Sequence, residues 1–340
     1  MKTNIVEKIW KNHLKAVIVG YGSIGKRHSK NLSKFKNIQC LVVTNRKGIK
    51  FPSKNFQKFN SLDECLKLNP DVGFVTNESN IHVKTAIKLA NAGCHIFVEK
   101  PLSHNSSQIK KLLKLVKQKN LITLIGCNFR FHPCLMKIKK LISLKKIGRV
   151  IFVQAENGSF LPDWHPSEDY KTSYAARKEL GGGVVLTSIH EIDYLFWLFG
   201  SVKEVYSITG KFSDLDMNAD DLSSTILRFK NNVVGEIHLD HFQRSVKRGC
   251  KIVGTKGTII WDSRTNVVKL FNNKTKKWKI VMKLKNFDLN STYINEIVHF
   301  LECIKKNKKT TNDLKEGVIV QNLALTILES SRKRKMVKLT

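Results

Sequence analysis

The stretch ELGGGVVLTSIHEIDYLFWLFG, residues 179–200, places ionisable side chains inside an almost wholly apolar run. Thr187, His190 and Asp193 recur at three-residue steps, so on a helix they share one side. An imidazole flanked by polar groups can take or give a proton during catalysis. The same pattern is typical of a buried helix whose polar groups find hydrogen-bond partners. The stretch therefore predicts either a catalytic helix or a structural one.

The segment VIVGYGSIGKRH contains glycines with the spacing G-x-G-x-x-G. Gly20, Gly22 and Gly25 directly follow a strand pattern and open a helical one, which is the context that a dinucleotide site requires. The first glycine permits a tight turn, the second lets the backbone approach a pyrophosphate, and the third allows close packing of helix on strand. N–H groups at the helix start, around Ser23 and Ile24, attract phosphate oxygens.

The residues after the second strand bear on the choice of cofactor. An NAD site usually has Asp or Glu about 20 residues after the glycines, where it accepts a hydrogen bond from the ribose 2′-hydroxyl. This chain has VVTNRKG at that point, with Asn45, Arg46 and Lys47. The missing acid and the two cations favour the 2′-phosphate of NADP over NAD. The alternative is that both cations are ordinary surface residues of a lysine-rich chain.

The segment FVEKPLS places Lys100 at the carboxyl end of a predicted strand, directly before Pro101. An ammonium group there can donate to a developing alkoxide, and a neutral amine can accept a hydroxyl proton. The preceding Glu99 either orders the nicotinamide ribose or caps a helix, and the sequence leaves both interpretations open.

Four motifs in this order, GYGSIG, EKP, NFRFHP and GGG…H…D, resemble the Gfo/Idh/MocA oxidoreductases over residues 15–335. The resemblance implies an N-terminal Rossmann domain and a second domain whose open sheet commonly packs in homodimers or homotetramers. It also implies hydride transfer between NAD(P) and a sugar, cyclitol or related substrate.

The resemblance also implies roles for single residues. Lys100 matches the lysine that reaches the reacting carbinol or carbonyl, and His190 matches the general acid or base that faces it across the substrate. Asp193 is expected to orient His190 or to cap a neighbouring element, and Thr187 and Asp193 are also candidate substrate contacts. The positions that match cofactor-contacting residues of the family are Thr76, Asn77, His82, Asn128 and Arg130.

The chain departs from the family at Thr187, where many members carry aspartate one turn before the histidine. A hydroxyl neither accepts a proton as a carboxylate does at neutral pH nor holds an imidazolium by charge. Either Lys100 and His190 suffice for catalysis, or the protein is a non-catalytic NAD(P)-binding regulator.

A loop rich in aromatic and cationic residues, FLPDWHPSEDYKTSYAARKEL, precedes the glycines at 181–183. Trp164 and Tyr174 suit sugar C–H surfaces, and the loop cations suit phosphate. The loop resembles relatives in bacterial surface-polysaccharide sugar pathways, which favours a nucleotide sugar or a sugar phosphate as substrate. The alternative is an ordered surface loop or part of an oligomer interface. A third activity, hydrolysis of glycosides by transient oxidation with tightly held NAD, occurs in some relatives.

The elements that must position these residues fall into two parts. Strand patterns alternate with helical ones up to residue 130, which predicts a doubly wound parallel sheet. Later strand patterns, joined by hairpin signals, predict a large, mostly antiparallel open sheet in an α+β domain, closed by helices over 293–307 and 313–333. We therefore predict an α/β fold with an NAD(P)-binding domain over 1–130 and a substrate-binding and oligomerisation domain over 131–340. The last helix is a candidate to pack back on the first domain. The predicted strands of the first domain are residues 15–20, 38–44, 71–76, 95–100 and 121–128.

Composition excludes several other classes of protein. Lys and Arg number 60 against 27 Asp and Glu, but the net charge of +33 is spread along the chain and no nucleic-acid-binding motif accompanies it, so we expect no specific nucleic-acid partner. The opening 20 residues lack the apolar core of a signal peptide, and no apolar run reaches about 18 residues, so we expect no membrane partner. Seven scattered cysteines without C-x-x-C favour a cytoplasmic protein without a zinc cluster. His190 and two nearby carboxylates offer few ligands for a metal ion, so we also expect no metal.

Overall fold

The computed structural model describes residues 13–339. Residues 1–12 and 340 lie outside the described residues, and so does most of the opening segment in which we expect no signal peptide. The chain forms two compact units. The first contains the residues up to Asn128 together with Asn290–Ile319, and the second contains Phe129–Leu289 together with the residues from Val320 onward.

The first unit is built around six parallel strands. Its strands are β1 (Leu14–Val19), β2 (Ile38–Val43), β3 (Phe56–Phe59), β4 (Val72–Val75), β5 (His95–Glu99) and β6 (Thr123–Gly126). Its helices are α1 (Ser23–Leu32), α2 (Leu62–Leu66), α3 (His82–Asn91), α4 (Ile109–Gln118) and, much later in the chain, α8 (Asn290–Lys305). The strand order is β3-β2-β1-β4-β5-β6. Because β4 follows β3 in the chain but lies beside β1, the order reverses between β1 and β4, and ligands of such sheets bind outside the carboxyl ends of the strands at that point.

Residues 290–319 belong to the first unit because they bond to its last strand. The amide N–H of Ile125 donates to the carbonyl oxygen of Asn312, and the Asn312 side chain donates back to the Ile125 carbonyl, both at 2.9 Å. Leu314 N–H donates to the hydroxyl of Thr123. The sequence alone assigned these residues to the second domain, since nothing in their local pattern indicates a partner about 190 residues away.

The second unit is built around a nine-stranded sheet. Its strands are β7 (Val150–Gly158), β8 (Val202–Gly210), β9 (Leu222–Phe229), β10 (Val234–Asp240), β11 (Lys247–Gly254), β12 (Gly257–Asp262), β13 (Val267–Asn272), β14 (Lys277–Lys283) and β15 (Val337–Lys338). Its helices are α5 (Pro133–Ser143), α6 (Val184–Thr187), α7 (His190–Phe199) and the later part of α9 (Leu314–Lys333). The order is β14-β13-β12-β11-β7-β10-β9-β8-β15, and among the paired strands only β7 and β10 run parallel.

One face of the nine-stranded sheet packs on the core and the other is exposed. Along β9 the burial alternates strictly, with Leu227 and Phe229 buried and Ile226 and Arg228 exposed. The buried face joins residues of α5, α6 and α7 in one hydrophobic cluster, which includes Trp261. The period of two residues explains why these strands were readable from the sequence.

The predicted fold class is confirmed by both sheets. The strand β3 was missed, because FQKF is a short edge strand with two exposed polar residues and therefore carries little pattern. Within residues 13–339, no helix has both the length and the apolar character needed to cross a membrane.

Candidate functional site

The glycine loop lies between β1 and α1, at the carboxyl end of the sheet. Gly20 has φ +99°, and a Cβ there would lie 2.7 Å from the backbone of Asn77. A Cβ on Gly25 would lie 2.2 Å from the carbonyl oxygen of Gly20, so the helix packs directly on the loop. Among the described residues other than Gly22 and its two chain neighbours, no heavy atom lies within 4 Å of the Cβ position of Gly22. Two glycines are thus required by packing, and the third leaves the open backbone surface that a pyrophosphate needs.

The start of α1 presents N–H groups without competing charge. Gly22 is the N-cap, and the first turn, which begins with Ser23 and Ile24, contains no acidic side chain. The hydroxyl of Thr76, at the end of β4, lies 3.0 Å from the Val19 carbonyl and 2.9 Å from the Gly20 carbonyl. Thr76 therefore ties β4 to the glycine loop, and these residues fit a dinucleotide phosphate bound at the helix N-terminus.

His82 connects the loop after β4 with the loop after β5. Its Nδ1 lies 2.8 Å from the Pro101 carbonyl oxygen and its Nε2 lies 2.9 Å from the Asn77 carbonyl oxygen. Burial lowers the pKa of His82, although both hydrogen bonds act in the opposite direction. A neutral ring has one N–H, so it donates to one of the two carbonyls. The Asn77 side chain donates to Thr85. His82 thus lies between the loop after β4 and the segment next to Lys100, and its single N–H ties it to one of them.

Glu99 forms a buried pair with His28 of α1. Nε2 of His28 lies 2.5 Å from Oε1 of Glu99, and the amide N–H of Lys100 donates to Oε2 at 3.2 Å. The structure thus provides Glu99 with a third role, beyond the ribose contact and the helix cap considered from the sequence. Glu296 of α8 lies close by. One imidazole nitrogen or carboxylate oxygen from each of His28, Glu99 and Glu296 lies within 4.8 Å of those of the other two. The hydrogen bond to Glu99 already uses the Nε2 atom of His28.

Sequence analysis missed His28, although a signal was present. Gly25, His28 and Leu32 follow each other at three- and four-residue steps on α1, and all three are buried. The pattern therefore placed His28 on the inner side of the helix, where a buried imidazole needs a partner. Its partner, Glu99, is 71 residues away in the chain, and no local pattern connects the two.

The remaining first-unit candidates lie at the carboxyl ends of the strands. Lys100 is partly exposed directly after β5. Asn45 and Arg46 are exposed after β2, where the Arg46 N–H donates to the Thr44 hydroxyl. Asn128 is buried, and its side chain donates to the hydroxyl of Thr292 at 2.7 Å.

The helix expected to carry His190 is interrupted. The short α6 ends at Thr187 and α7 begins at His190, so Thr187 and His190 belong to two helices rather than to one continuous face. Ser188, between them, accepts a hydrogen bond from the Asn157 side chain at 2.9 Å. The imidazole of His190 is buried, with its ring centre 4.9 Å from that of Phe129.

Arg130 and Asp193 bind each other. Nε and Nη2 of the guanidinium lie 2.8–3.1 Å from the two carboxylate oxygens, and each side chain is 1% exposed. The sequence placed Arg130 near the cofactor and Asp193 near the substrate or His190. Because the carboxylate is held bidentately in a buried pair, we now interpret both residues as positioning α7. The neighbouring Glu191 is likewise paired with Arg248, with Nε and Oε1 2.9 Å apart.

Thr187 is buried against a histidine that sequence analysis did not identify. Its hydroxyl lies 2.7 Å from the carbonyl oxygen of Gly183 and 3.0 Å from Nε2 of His241. The ring of His241 meets the ring of Trp164 edge-on, with centres 5.1 Å apart, and Trp164 Nε1 donates to the Ser159 hydroxyl. His241 follows a strand pattern in EIHLDHF, where nothing distinguishes it from an ordinary strand residue.

The loop before the glycines is ordered by its own small core. Tyr174 is 38% exposed, and the buried members of the core come from both this loop and the segment around Met217. This arrangement is compatible with both interpretations of the loop. Its small core suits an ordered surface loop, and the partly exposed Trp164 and Tyr174 suit a loop that faces a sugar.

Comparison with known protein families decides the assignment. Residues 14–127 match the model described as "Oxidoreductase family, NAD-binding Rossmann fold", and residues 139–339 match "Oxidoreductase family, C-terminal alpha/beta domain". The chain belongs to the Gfo/Idh/MocA family of oxidoreductases. The two matched regions cover most of the chain and contain the glycine loop, Lys100 and His190.

Relatives of this family member include dehydrogenases of small polyols and sugars. Myo-inositol 2-dehydrogenase of Thermotoga maritima is 23% identical over 339 residues, which cover 95% of this chain and 97% of the relative. A solved structure of levoglucosan dehydrogenase in complex with NADH and levoglucosan is similar with a TM-score of 0.86 and 20% identity, covering 96% of this chain and 99% of that one. The WlbA dehydrogenase from Bordetella pertussis, in complex with NADH and UDP-GlcNAcA, has a TM-score of 0.80 and 20% identity, covering 97% and 99%.

Proposed function

We propose that this protein is an NAD(P)-dependent dehydrogenase that interconverts a hydroxyl carbon and a keto carbon of a sugar. The observation that carries the proposal is the glycine loop, where Gly22 leaves open space beside the start of α1 at the point where the strand order reverses. Lys100 follows β5, which adjoins β4 in the same sheet, and it therefore emerges from the same carboxyl edge as this loop.

Proton transfer is the task of the chain's own residues. NAD(P), when bound, supplies the acceptor or donor of the hydride. We assign Lys100 to donate a hydrogen bond to the substrate oxygen as negative charge develops on it. We assign His190 to take up the hydroxyl proton during oxidation and to return it during reduction. Glu99 and His28 hold the Lys100 backbone, and the Arg130–Asp193 pair holds α7.

We further propose that the cofactor is NADP rather than NAD. Arg46 is exposed beyond the end of β2, the strand next to β1, and no acidic side chain follows β2 before residue 62 in the sequence. A charged contact with a 2′-phosphate adds about 1.5–3 kcal/mol. Fluorescence titration should therefore show tighter binding of NADPH than NADH, and Arg46→Ala should remove most of the difference while Lys50→Ala, a neighbouring exposed cation, should not. Equal affinities in the unmodified protein would overturn this proposal.

For the substrate we propose a nucleotide sugar or sugar phosphate of surface-polysaccharide biosynthesis. The loop that carries Trp164 and Tyr174 supplies partly exposed aromatic rings, and its cations suit phosphate. The relatives with sugar ligands support the sugar class, and the WlbA complex with UDP-GlcNAcA supports the nucleotide sugar.

A panel of free sugars, sugar phosphates and nucleotide sugars tests this function directly. Each compound is mixed with the protein and NAD or NADP, and the absorbance of the reduced nicotinamide is followed. We expect formation of reduced cofactor with a phosphorylated sugar or nucleotide sugar, and none with Lys100→Met. Cofactor binding without any turnover would favour the regulator. Glycoside hydrolysis with no net cofactor reduction would favour transient oxidation.

We propose that the protein is a cytoplasmic homo-oligomer. All seven cysteines are buried, and none of them forms a disulfide within residues 13–339, which agrees with a reducing compartment. The outer face of the nine-stranded sheet exposes large apolar side chains, among them Ile208, Ile226 and Tyr206, and such a face is typical of a surface that packs on a second copy.

A further inference from the structure

His241 joins three separate pieces of the second unit. It directly follows β10, where its N–H donates to the Asp221 carbonyl and its carbonyl oxygen accepts from the N–H of Leu161, at 2.9 and 2.8 Å. Its side chain is completely buried and contacts the Thr187 hydroxyl and the Trp164 ring. Both of these residues belong to the proposed sugar side of the site, and they are otherwise on different elements.

The direction of the hydrogen bond between His241 and Thr187 follows from counting protons. A threonine hydroxyl has one hydrogen, and that of Thr187 points to the carbonyl oxygen of Gly183, four residues earlier, at 2.7 Å. The Thr187 oxygen is then an acceptor toward His241. Nε2 of His241, 3.0 Å away, must carry the proton, so the ring is the Nε2–H tautomer.

The Trp164 contact depends on the same ring. The two ring planes lie at 89°, so an edge of one ring meets the face of the other, which is a favourable aromatic geometry. The Trp164 N–H is held by Ser159, whose own N–H donates to the Asp240 carbonyl next to His241. A shift of the His241 ring would therefore remove one contact of Thr187 and one contact of Trp164 together.

We propose that His241 is a positioning residue that determines how the sugar is bound. It fixes the Thr187 hydroxyl through Nε2–H and the Trp164 ring through the edge contact, and it gives this part of the site a hydrogen-bonded wall. The inference rests on the proposed sugar dehydrogenase function and adds a residue and a role that the family resemblance did not provide. Loss of His241 is expected to affect sugar binding and not cofactor binding. Neither Thr187 nor Trp164 belongs to the first unit, which contains the glycine loop.

Conservative and disruptive substitutions of both partners test the proposal. His241→Gln retains an amide donor near the Nε2 position, whereas His241→Leu retains bulk without a donor. Thr187→Ser and Thr187→Val form the corresponding pair. We expect His241→Leu and Thr187→Val to raise the KM for the sugar about 3- to 10-fold, the range for one lost neutral hydrogen bond. We expect His241→Gln and Thr187→Ser to stay near the unmodified protein, with an unchanged Kd for the cofactor in all four.

The double variant and an NMR measurement complete the test. Thr187→Val combined with His241→Leu should raise the KM no further than His241→Leu alone, because both remove the same bond. In ¹⁵N-histidine-labelled protein, the resonance lost in His241→Gln should be that of an Nε2–H tautomer. An Nδ1–H tautomer, or a KM as high in His241→Gln as in His241→Leu, would overturn the inference. Absence of any sugar turnover by the unmodified protein would instead contradict the proposed function, while the NMR result still decides the hydrogen bond.

Discussion

Buried acidic side chains beside both candidate catalytic residues have basic partners. Glu99 precedes Lys100 and binds His28, while Glu191 and Asp193 follow His190 and bind arginines. Removing one partner of such a buried pair costs about 3–5 kcal/mol, because the remaining charge is left without compensation. These acids are therefore engaged in structural pairs, and the proposed function assigns proton transfer to the lysine and the histidine instead.

Lys100→Met and His190→Ala should each lower kcat by about 10²- to 10⁴-fold, the usual effect of losing a positioned acid or base. The Kd for the cofactor should stay near that of the unmodified protein. Lys110→Met, which removes an exposed lysine from α4, is the matched control and should leave kcat unchanged. Steady-state kinetics and fluorescence titration separate the two effects. A loss confined to cofactor affinity would remove both residues from the catalytic role.

The start of α1 provides two glycines with opposite expected behaviour, Gly22 at the N-cap and Gly25 in the first turn. Gly22→Ala adds a methyl group to open space at φ −75°, so stability should change little while cofactor affinity falls. Gly25→Ala places a methyl group 2.2 Å from the Gly20 carbonyl oxygen, so the loop or helix must shift and thermal stability should fall even without cofactor. Thermal unfolding with and without NADPH measures both effects. Unchanged NADPH affinity in Gly22→Ala would show that the cofactor does not approach this backbone.

The N-cap residue of α5 is expected to make the free energy of unfolding depend on pH. His132 is the N-cap, and its Nδ1 accepts from the Cys134 N–H. Burial, together with the charge of Arg248, lowers the pKa of His132 from 6.5 to about 4, although a hydrogen bond with Asn266 acts against the shift. Since the folded pKa lies below the unfolded one, the stabilising contribution is complete above pH 6.5 and is lost as the pH falls toward 4.

The expected size follows from the same shift. Between pH 7.5 and pH 5, His132 should cost the protein roughly 2 kcal/mol of unfolding free energy, because each pH unit below 6.5 contributes about 1.4 kcal/mol. His132→Asn keeps a capping side chain but does not titrate. Urea unfolding at both pH values should therefore show a smaller pH effect in the variant. Equal pH dependence in the two proteins would mean that His132 titrates normally.

Helices and strands with a strong hydrophobic periodicity could be predicted from the sequence, whereas the interruption of a helix could not. The strands of both sheets carry either continuous apolar runs or strict alternation, and these patterns reproduced all but the edge strands β3 and β15. The break between α6 and α7 has no such signal, because Ser188 is stabilised by Asn157, a residue 31 positions away. The site shows the same division. Motif residues at strand ends could be identified from the sequence. His28 and His241 could not, because their partners are distant in the chain and come close only in the folded protein.

The exposed face of the nine-stranded sheet predicts assembly of the whole molecule. Ile226 of β9 lies beside Tyr206 of β8, and both are exposed on this face, near the end of the sheet that carries β8 and β15. A charged residue there should prevent packing on a second copy, because its desolvation has no compensation. Light scattering should give at least twice the chain mass for the unmodified protein and the single-chain mass for Ile226→Glu. Ile319→Glu, at another exposed isoleucine, on α9, should keep the larger mass. A single-chain mass for the unmodified protein would contradict the proposed oligomer.

Hydride transfer itself is tested most directly by following the transferred atom. The most active sugar from the panel is prepared with deuterium on the carbon that becomes the keto carbon, and the nicotinamide product is analysed by mass spectrometry. We expect one deuterium in each reduced cofactor formed, in equal amount to the oxidised sugar, together with slower turnover than with the unlabelled sugar. Reduced cofactor without deuterium, or sugar converted without reduced cofactor, would contradict the assignment as a sugar dehydrogenase.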